Sequence, residues 1–383
     1  MPPFSSQEIA QYRQLFPVCQ DWIYLNHAGV APISTKVAEA VEQFNRQALQ
    51  KGYTAGAEWA NRIEEIRHCC AQLVGAQSEE IAFVRNTSHG LSLIARGLKL
   101  QKGDEVILSE VEFPTNVYPW MALEAEGIVL KKIKSINGEL QLDELASLIT
   151  PKTRVVSLSS VQYGTGFRLP LQKIGKLCRE RGVYFFVDAI QSLGAFPLDV
   201  EKDCIDFLAA DAHKWMLGHE GIGILYVRQA LIEKIEPMLL GWNSVRGRFN
   251  FDTIDFKLDP TAARFEEGSH NGLSIYGLGA AVDLLLEVGV EKISQRILQL
   301  SGLLDAGMQK LGFAAGHSPK PEYRSGIVLF KLPEDSEGKE LLKLERELFA
   351  KKIYASIRRG YLRFSPHFYN TEEEIQSVLK KIK

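Results

Sequence analysis

Apolar residues along the chain follow two rhythms. Over about 34–50 and 57–74 they recur every three to four positions, the spacing of a helix with one buried face. From residue 81 onward, short apolar runs alternate with helical stretches. The runs are Ile81–Val84, Glu105–Leu108, Ile128–Leu130, Val155–Leu158, Tyr184–Val187, Phe207–Ala210 and Gly223–Val227. Helical patterns fall near 88–98, 115–126, 141–148 and 171–181. Near-continuous apolar strands separated by helices predict an α/β fold whose mostly parallel seven-stranded sheet is covered on both faces. The rhythm fades from 236 to 272, where Gly, Asn, Asp and Arg are frequent. A long helix over about 273–311 follows, then a tail with strands at Gly326–Phe330 and Tyr361–Ser365. The last helix is expected after Asn370 or Thr371, either of which can cap it, with Glu372, Glu373 and Glu374 suited to its dipole. Three parts are therefore expected: an N-terminal arm over 1–30, a large domain over 31–265 and a smaller α+β C-terminal domain over 266–383, with the boundary near 260–275.

Bulk properties narrow the class. At 383 residues the chain exceeds one typical core, which agrees with two domains. A net charge of −2 and the lack of a long basic run argue against nucleic acid as a partner. Met1-Pro2-Pro3-Phe4-Ser5-Ser6 lacks the basic and apolar regions of a signal peptide, and no apolar stretch approaches the roughly 20 residues that span a bilayer. A cytoplasmic protein with no membrane partner is the expectation. Cys19, Cys69, Cys70, Cys178 and Cys204 are odd in number, scattered and without CxxC spacing. They indicate reduced thiols, with neither a disulfide framework nor a metal site.

The chemistry sits at strand ends. Asp188 closes the run Tyr184–Val187, and Lys214 follows Phe207–Ala210 in the stretch Asp211-Ala212-His213-Lys214-Trp215. In a parallel sheet such ends face the crevice where α/β proteins bind ligands. An aspartate and a lysine delivered there together suit pyridoxal 5'-phosphate (PLP), the lysine forming a Schiff base and the carboxylate pairing with the pyridine nitrogen. Such pairing raises the nitrogen's pKa by roughly 1–3 units. Asp188 could instead cap the next helix. Lys214, between apolar runs, is not a simple solvated charge; burial and a neighbouring cation would depress its pKa. Gln191, or alternatively Gln162, would lie near the ring hydroxyl. Asn86-Thr87-Ser88-His89-Gly90 follows the first strand and opens a helix, so Thr87 and Ser88 form either a phosphate cup or a plain N-cap. The only dense glycine run, 218–223, precedes a strand instead of following one, so the dinucleotide fingerprint is absent. Phe113, after the second strand, either stacks on a cofactor ring or fills the core. Arg363, in an otherwise apolar strand, wants a carboxylate from an internal acid or from a substrate.

Taken in order, Thr87-Ser88, Phe113, Gln162, Asp188, Gln191, His213-Lys214, Gly268-Ser269 and Arg363 resemble the class V aminotransferase family of fold-type I PLP enzymes. Cysteine desulfurases, selenocysteine lyases, kynureninase, isopenicillin N epimerase and C–S lyases share it. The resemblance runs from Tyr24-Leu25-Asn26-His27-Ala28-Gly29 to Tyr369-Asn370-Thr371. It implies a homodimer with shared active sites, Lys214 carrying PLP, Asp188 at the ring nitrogen, and Thr87, Ser88 and His213 at the phosphate. Ser269 would complete the partner subunit's phosphate cup, Phe113 would stack on the ring, and Arg363 would grip the substrate carboxylate. Asn26 and His27, together with Trp242, Asn243 and Arg246, are further substrate-side candidates. Three departures stand out. Asp211 replaces a common serine and is expected to point away from the phosphate. His270 replaces a common proline. Ile357-Arg358-Arg359-Gly360-Tyr361-Leu362 runs almost directly into Arg363 where desulfurases carry a loop with a catalytic cysteine, and no cysteine follows Cys204. These features imply a reaction at Cα of an α-amino acid without a thiol nucleophile. β-Elimination as a C–S lyase is favoured, with transamination or epimerisation as alternatives and a non-catalytic PLP-binding regulator as a remote one.

Overall fold

A computed structural model describes residues 3–333 and 337–383. Met1 and Pro2, the first residues of the arm, lie outside them. The seven apolar runs form one sheet: β1 (Ile81–Val84), β2 (Glu105–Ser109), β3 (Val129–Ile133), β4 (Thr153–Ser159), β5 (Tyr184–Asp188), β6 (Phe207–Asp211) and β7 (Gly223–Val227). Their order is β1-β7-β6-β5-β4-β2-β3. β7 pairs antiparallel with both β1 and β6, and every other pair in the sheet is parallel. Nearly every residue of the central strands is buried, as expected of strands covered on both faces. Helix α1 (Ser6–Gln14), inside the N-terminal arm, was not expected, whereas α2 (Thr35–Lys51), α3 (Gly56–Val74), α4 (Thr87–Gly97) and α5 (Leu171–Glu180) agree closely with the pattern.

Three helical expectations change. The 115–126 stretch is a 3-10 turn, a helix of one turn at Tyr118–Met121 and a second 3-10 turn. Pro119 accounts for this: proline fits only the first turn of a helix, so nothing continues through it from residue 115. The 141–148 stretch likewise splits into a 3-10 turn and a short helix, Leu145–Leu148. The long helix over 273–311 is two, α6 (Gly272–Val288) and α7 (Val290–Lys310), bent by 81° at Gly289. Gly289 has φ +87°, a conformation that costs most other residues strain and lets the chain turn. α6 packs on α2 and α3 beside the large sheet, whereas α7 packs against the C-terminal helix α9 (Glu372–Ile382).

The C-terminal part holds a second sheet of β8 (Ala314–Ala315), β9 (Val328–Lys331), β10 (Ser356–Arg358) and β11 (Tyr361–Phe364), in the order β8-β9-β11-β10. Helix α8 (Lys339–Ala350) covers it with α9. The N-terminal arm pairs its backbone with this part. Ile23 and Tyr24 pair in parallel with Ile353 and Tyr354, and Asn26 bridges to Ser365. Among the described residues no single helix is long and apolar enough to cross a membrane, and no group of three or more His, Cys, Asp or Glu is placed to hold a metal.

Candidate active site

The carboxyl ends of β1, β2, β4, β5 and β6 converge. Register sets Ser159 beside Asp188 and Asp188 beside Ala209, so Lys214 rises next to the end of β5. Asp188 is buried; its Oδ1 accepts from the Ile190 N–H at 3.1 Å, while its Oδ2 has no protein partner. An orphaned buried acceptor is costly unless a donor arrives from outside the chain. Burial raises the pKa of Asp188, and the nearby Glu112 carboxylate adds to the effect. The Lys214 ammonium lies 5.7 Å from the centre of the Phe113 ring. Burial pulls its pKa down to about 8; Asp188 opposes that pull, and Arg363 and Arg358 reinforce it. Phe113 is 40% exposed, so it does not fill the core; its ring meets Tyr163 edge-on at 5.0 Å.

Glu112 escaped the sequence reading. It lies three residues past β2, where an acid reads as a solvated loop residue, yet it is only 7% exposed. Its Oε1 accepts from the Ser159 N–H at 2.9 Å and from Gln162 Nε2 at 2.7 Å, and the Ser159 hydroxyl donates to its Oε2. Burial raises its pKa against these bonds. The Gln162 Oε1 is left buried and unpartnered beside this cluster. Gln191 differs: Trp215 Nε1 donates to its Oε1 at 2.9 Å and its own Nε2 donates to the Ala28 carbonyl at 3.1 Å. It ties the lysine-bearing loop to the N-terminal arm.

At the start of α4, Asn86 caps the helix by accepting from the His89 N–H, which leaves the Thr87 and Ser88 N–H groups at the positive end of the helix. The Thr87 hydroxyl accepts from the Asp211 N–H at 3.0 Å, and the Ser88 hydroxyl meets Thr115 Oγ1 at 3.0 Å. The Asp211 carboxylate stands 3.0 Å from His213 Nδ1, out of hydrogen-bond alignment. Ser269 is exposed and lines a cavity of about 380 Å³ with Arg85, His89, Gly221 and Glu267, and Lys214 is not among the residues that line it. His270 stands over Glu266, whose buried carboxylate also receives Arg67 and the Phe83 N–H.

Arg363 is 1% exposed and meets no acid among the described residues. Its Nη1 reaches the Tyr163 carbonyl and its Nη2 reaches Asn26 Oδ1, both at 3.3 Å, and its Nε has no partner. Burial and Arg358 bring its pKa down to about 10. Asn26 also accepts from Ser356 Oγ at 3.0 Å, which holds it beneath the guanidinium. His27 is fully buried, with Nδ1 donating to the Ser365 carbonyl at 2.8 Å and Nε2 accepting from the Tyr369 hydroxyl at 2.5 Å. With both nitrogens engaged inside the packing, it braces Ser365 instead of facing a ligand. Asn243 is buried, while Trp242 is 41% exposed against Phe249 and Phe251.

The aminotransferase class-V family model matches residues 23–378. The chain belongs to this enzyme family. An uncharacterized aminotransferase, YcbU, of Bacillus subtilis is 29% identical over 97% of this chain and 96% of its own. A probable cysteine desulfurase of Methanothermobacter thermautotrophicus is 27% identical over 95% and 94%. Among solved structures, the cystine C–S lyase C-DES, in complex with its reaction product cysteine persulfide, superposes with TM-score 0.89 at 27% identity, covering 96% of this chain and 98% of C-DES. A C-DES mutant with glycine covalently linked to its PLP cofactor superposes with TM-score 0.90 at 26% identity, covering 97% of this chain and 98% of its own. The fold is thus the fold-type I α/β architecture of PLP-dependent enzymes.

Proposed function

We propose that this enzyme labilises the Cα–H bond of an α-amino acid and, by preference, eliminates a sulfur-bearing β-substituent as a C–S lyase. The cofactor is PLP, the group that suits the donor set: a buried lysine amine, an orphaned aspartate oxygen below it and a helix start beside it. When bound, it supplies a ring that withdraws the charge left at Cα. Asp188 holds the ring nitrogen through its free Oδ2. Gln162, with a free acceptor, suits the ring hydroxyl better than Gln191, whose amide is engaged. Thr87, Ser88 and His213 hold the phosphate, and Phe113 covers the ring face. Lys214 carries the cofactor and, once released, takes the Cα proton at Nζ. Arg363 would hold the substrate carboxylate, so that loss of the Cα proton would be favoured over loss of the carboxylate.

One observation argues against a persulfide-forming desulfurase, while the preference for elimination over transamination rests on the family resemblance. β10 and β11 are joined by Arg359-Gly360 alone, so no cysteine stands ahead of Arg363. The five cysteines are free thiols; burial raises the pKa of Cys19, Cys69, Cys70 and Cys178, which keeps them protonated and poorly nucleophilic. A persulfide-forming thiol therefore has no place in this reading. Transamination is the second reading, favoured by the Bacillus relative's name. A homodimer whose Ser269 completes the partner's phosphate cup fits the placement of Ser269 in a cavity that its own Lys214 does not line, and the reduced thiols suit the cytoplasm. Mass spectrometry of products from a panel of amino acids separates the reactions. Pyruvate with a released thiol is the expected result. A keto acid that keeps its whole side chain would establish transamination instead.

The lowered pKa of Lys214 has a kinetic signature. Only the neutral amine attacks a carbonyl, and that fraction rises with pH up to the amine's pKa. PLP uptake by the apoprotein should accelerate about tenfold per pH unit below 8 and level off above it. Stopped-flow absorbance measures this. A rate still climbing steadily past pH 9.5 would mean that the amine is not depressed.

A further inference from the structure

The hairpin that replaces a longer loop has chemistry of its own. Arg359 and Gly360 both adopt positive φ, +52° and +78°, as a two-residue hairpin turn requires. Register sets Ser356 opposite Arg363 and Arg358 opposite Tyr361. Because strand side chains alternate, Ser356, Arg358, Tyr361 and Arg363 share one face of the small sheet. That face looks into the site, since Ser356 reaches Asn26 and Arg363 reaches Tyr163. Arg359 lies there too: its side-chain stem rests on Gly164, where an added Cβ would come within 2.5 Å of the Arg359 Cδ. Gly164 adjoins Tyr163, whose ring meets Phe113 over Lys214.

Three arginines therefore lie close together beside Lys214 and Tyr163, and no carboxylate among the described residues pairs with any of them. Arg358 donates only to the adjacent Ile357 carbonyl, at 2.7 Å. Many other arginines of this nearly neutral chain pair with acids, including Arg62, Arg67, Arg154, Arg296 and Arg324. Unpaired cations around a concave site concentrate anions there. Arg363 accounts for one anion, the α-carboxylate, leaving two guanidinium groups a few residues away without a task.

We propose that Arg358 and Arg359 form a second anion subsite, which reads a carboxylate or oxidised-sulfur anion at the far end of the substrate's side chain. The substrate is then an α-amino acid with an acidic side chain. This rests on the reading of Arg363 as the α-carboxylate clamp. The guanidinium fork suits both anions, because each presents two coplanar or near-coplanar oxygens.

Titration calorimetry of the holoenzyme with amine-free probes tests it: succinate, glutarate and 3-sulfopropionate against butyrate, which has one carboxylate and a neutral end. At least one doubly charged probe should bind ten-fold or more tighter than butyrate. The double variant Arg358→Gln, Arg359→Gln should abolish that advantage and leave butyrate binding within twofold. Preference for 3-sulfopropionate over the dicarboxylates would assign the sulfur anion, and the reverse order the carboxylate. Equal binding of all four probes overturns the subsite. So does an advantage that survives the double variant. Arg363→Gln should weaken all four; if it weakens none, the α-carboxylate reading has failed and not merely the subsite.

Discussion

Replacing Lys214 with alanine should lower turnover by at least about 10⁴-fold while the protein still folds and takes up PLP without a covalent link. The size follows from two losses at one atom. A positioned base contributes roughly 10²- to 10⁴-fold, and loss of the covalent link removes the more reactive form in which the lysine presents the cofactor to the substrate amine. Folding should survive because Lys214 forms no ion pair among the described residues, and its burial already disfavours the charged form. The neighbouring structure is held by other groups: Trp215 through Gln191, and the Trp215 carbonyl through His367 Nε2 at 3.1 Å. The checks are turnover on the best substrate, the absorption band of bound cofactor, and partial rescue by added methylamine. A Lys214→Ala protein that keeps turnover within tenfold of the parent would remove the lysine from the mechanism.

Arg363→Met should lose about 30- to 5,000-fold in kcat/KM, the equivalent of roughly 2–5 kcal/mol for a buried charge pair broken on one side. The same variant should be as stable as the parent or more stable, by up to about 1–4 kcal/mol, since a similar apolar volume replaces a desolvated charge. The reason lies in its surroundings. Two hydrogen bonds of 3.3 Å to neutral oxygens do not compensate a guanidinium that is 1% exposed, and its Nε has no partner. The cation is held ready for an anion that comes and goes. Opposite signs for activity and stability mark such a residue. Thermal unfolding and steady-state kinetics on one preparation measure both. A destabilised variant with intact kcat/KM would make Arg363 a structural residue instead.

Much of the fold was legible because the central strands are buried on both faces, so β4, β5 and β6 appear as unbroken apolar runs ending in Ser159, Asp188 and Asp211. The reversed direction of β7 was not, because a buried antiparallel strand carries the same apolar signature as a parallel one. Nor was the break at Gly289: one glycine inside an apolar helical pattern is common, and only the packing of α6 and α7 on different layers requires the turn. In the site, Asp188 and Lys214 stood out because each is a lone charge beside an apolar run. Glu112 did not, since its burial depends on Ser159 and Gln162, which lie 47 and 50 residues further along. Gln191 and His27 carried the right residue types in the right places, yet their ring and amide atoms are engaged by Trp215, Ala28, Ser365 and Tyr369. A sequence pattern locates such residues but does not tell which of their atoms are free.

The contact between Asn26 and Arg363 spans 337 residues. The cofactor-side residues that one subunit is proposed to supply from Thr87 to Lys214 leave the ribosome well before Arg363 does. During synthesis the large sheet can close on PLP while its substrate clamp is still unmade, because contacts between distant segments form late and are slow. The clamp thus depends on the meeting of the two ends of the chain, the cofactor-side residues on its middle. Trimming the chain ahead of Ala28 would take Asn26 from Arg363 and Phe4, Ile9 and Phe16 from the core, so it should weaken substrate binding and stability together.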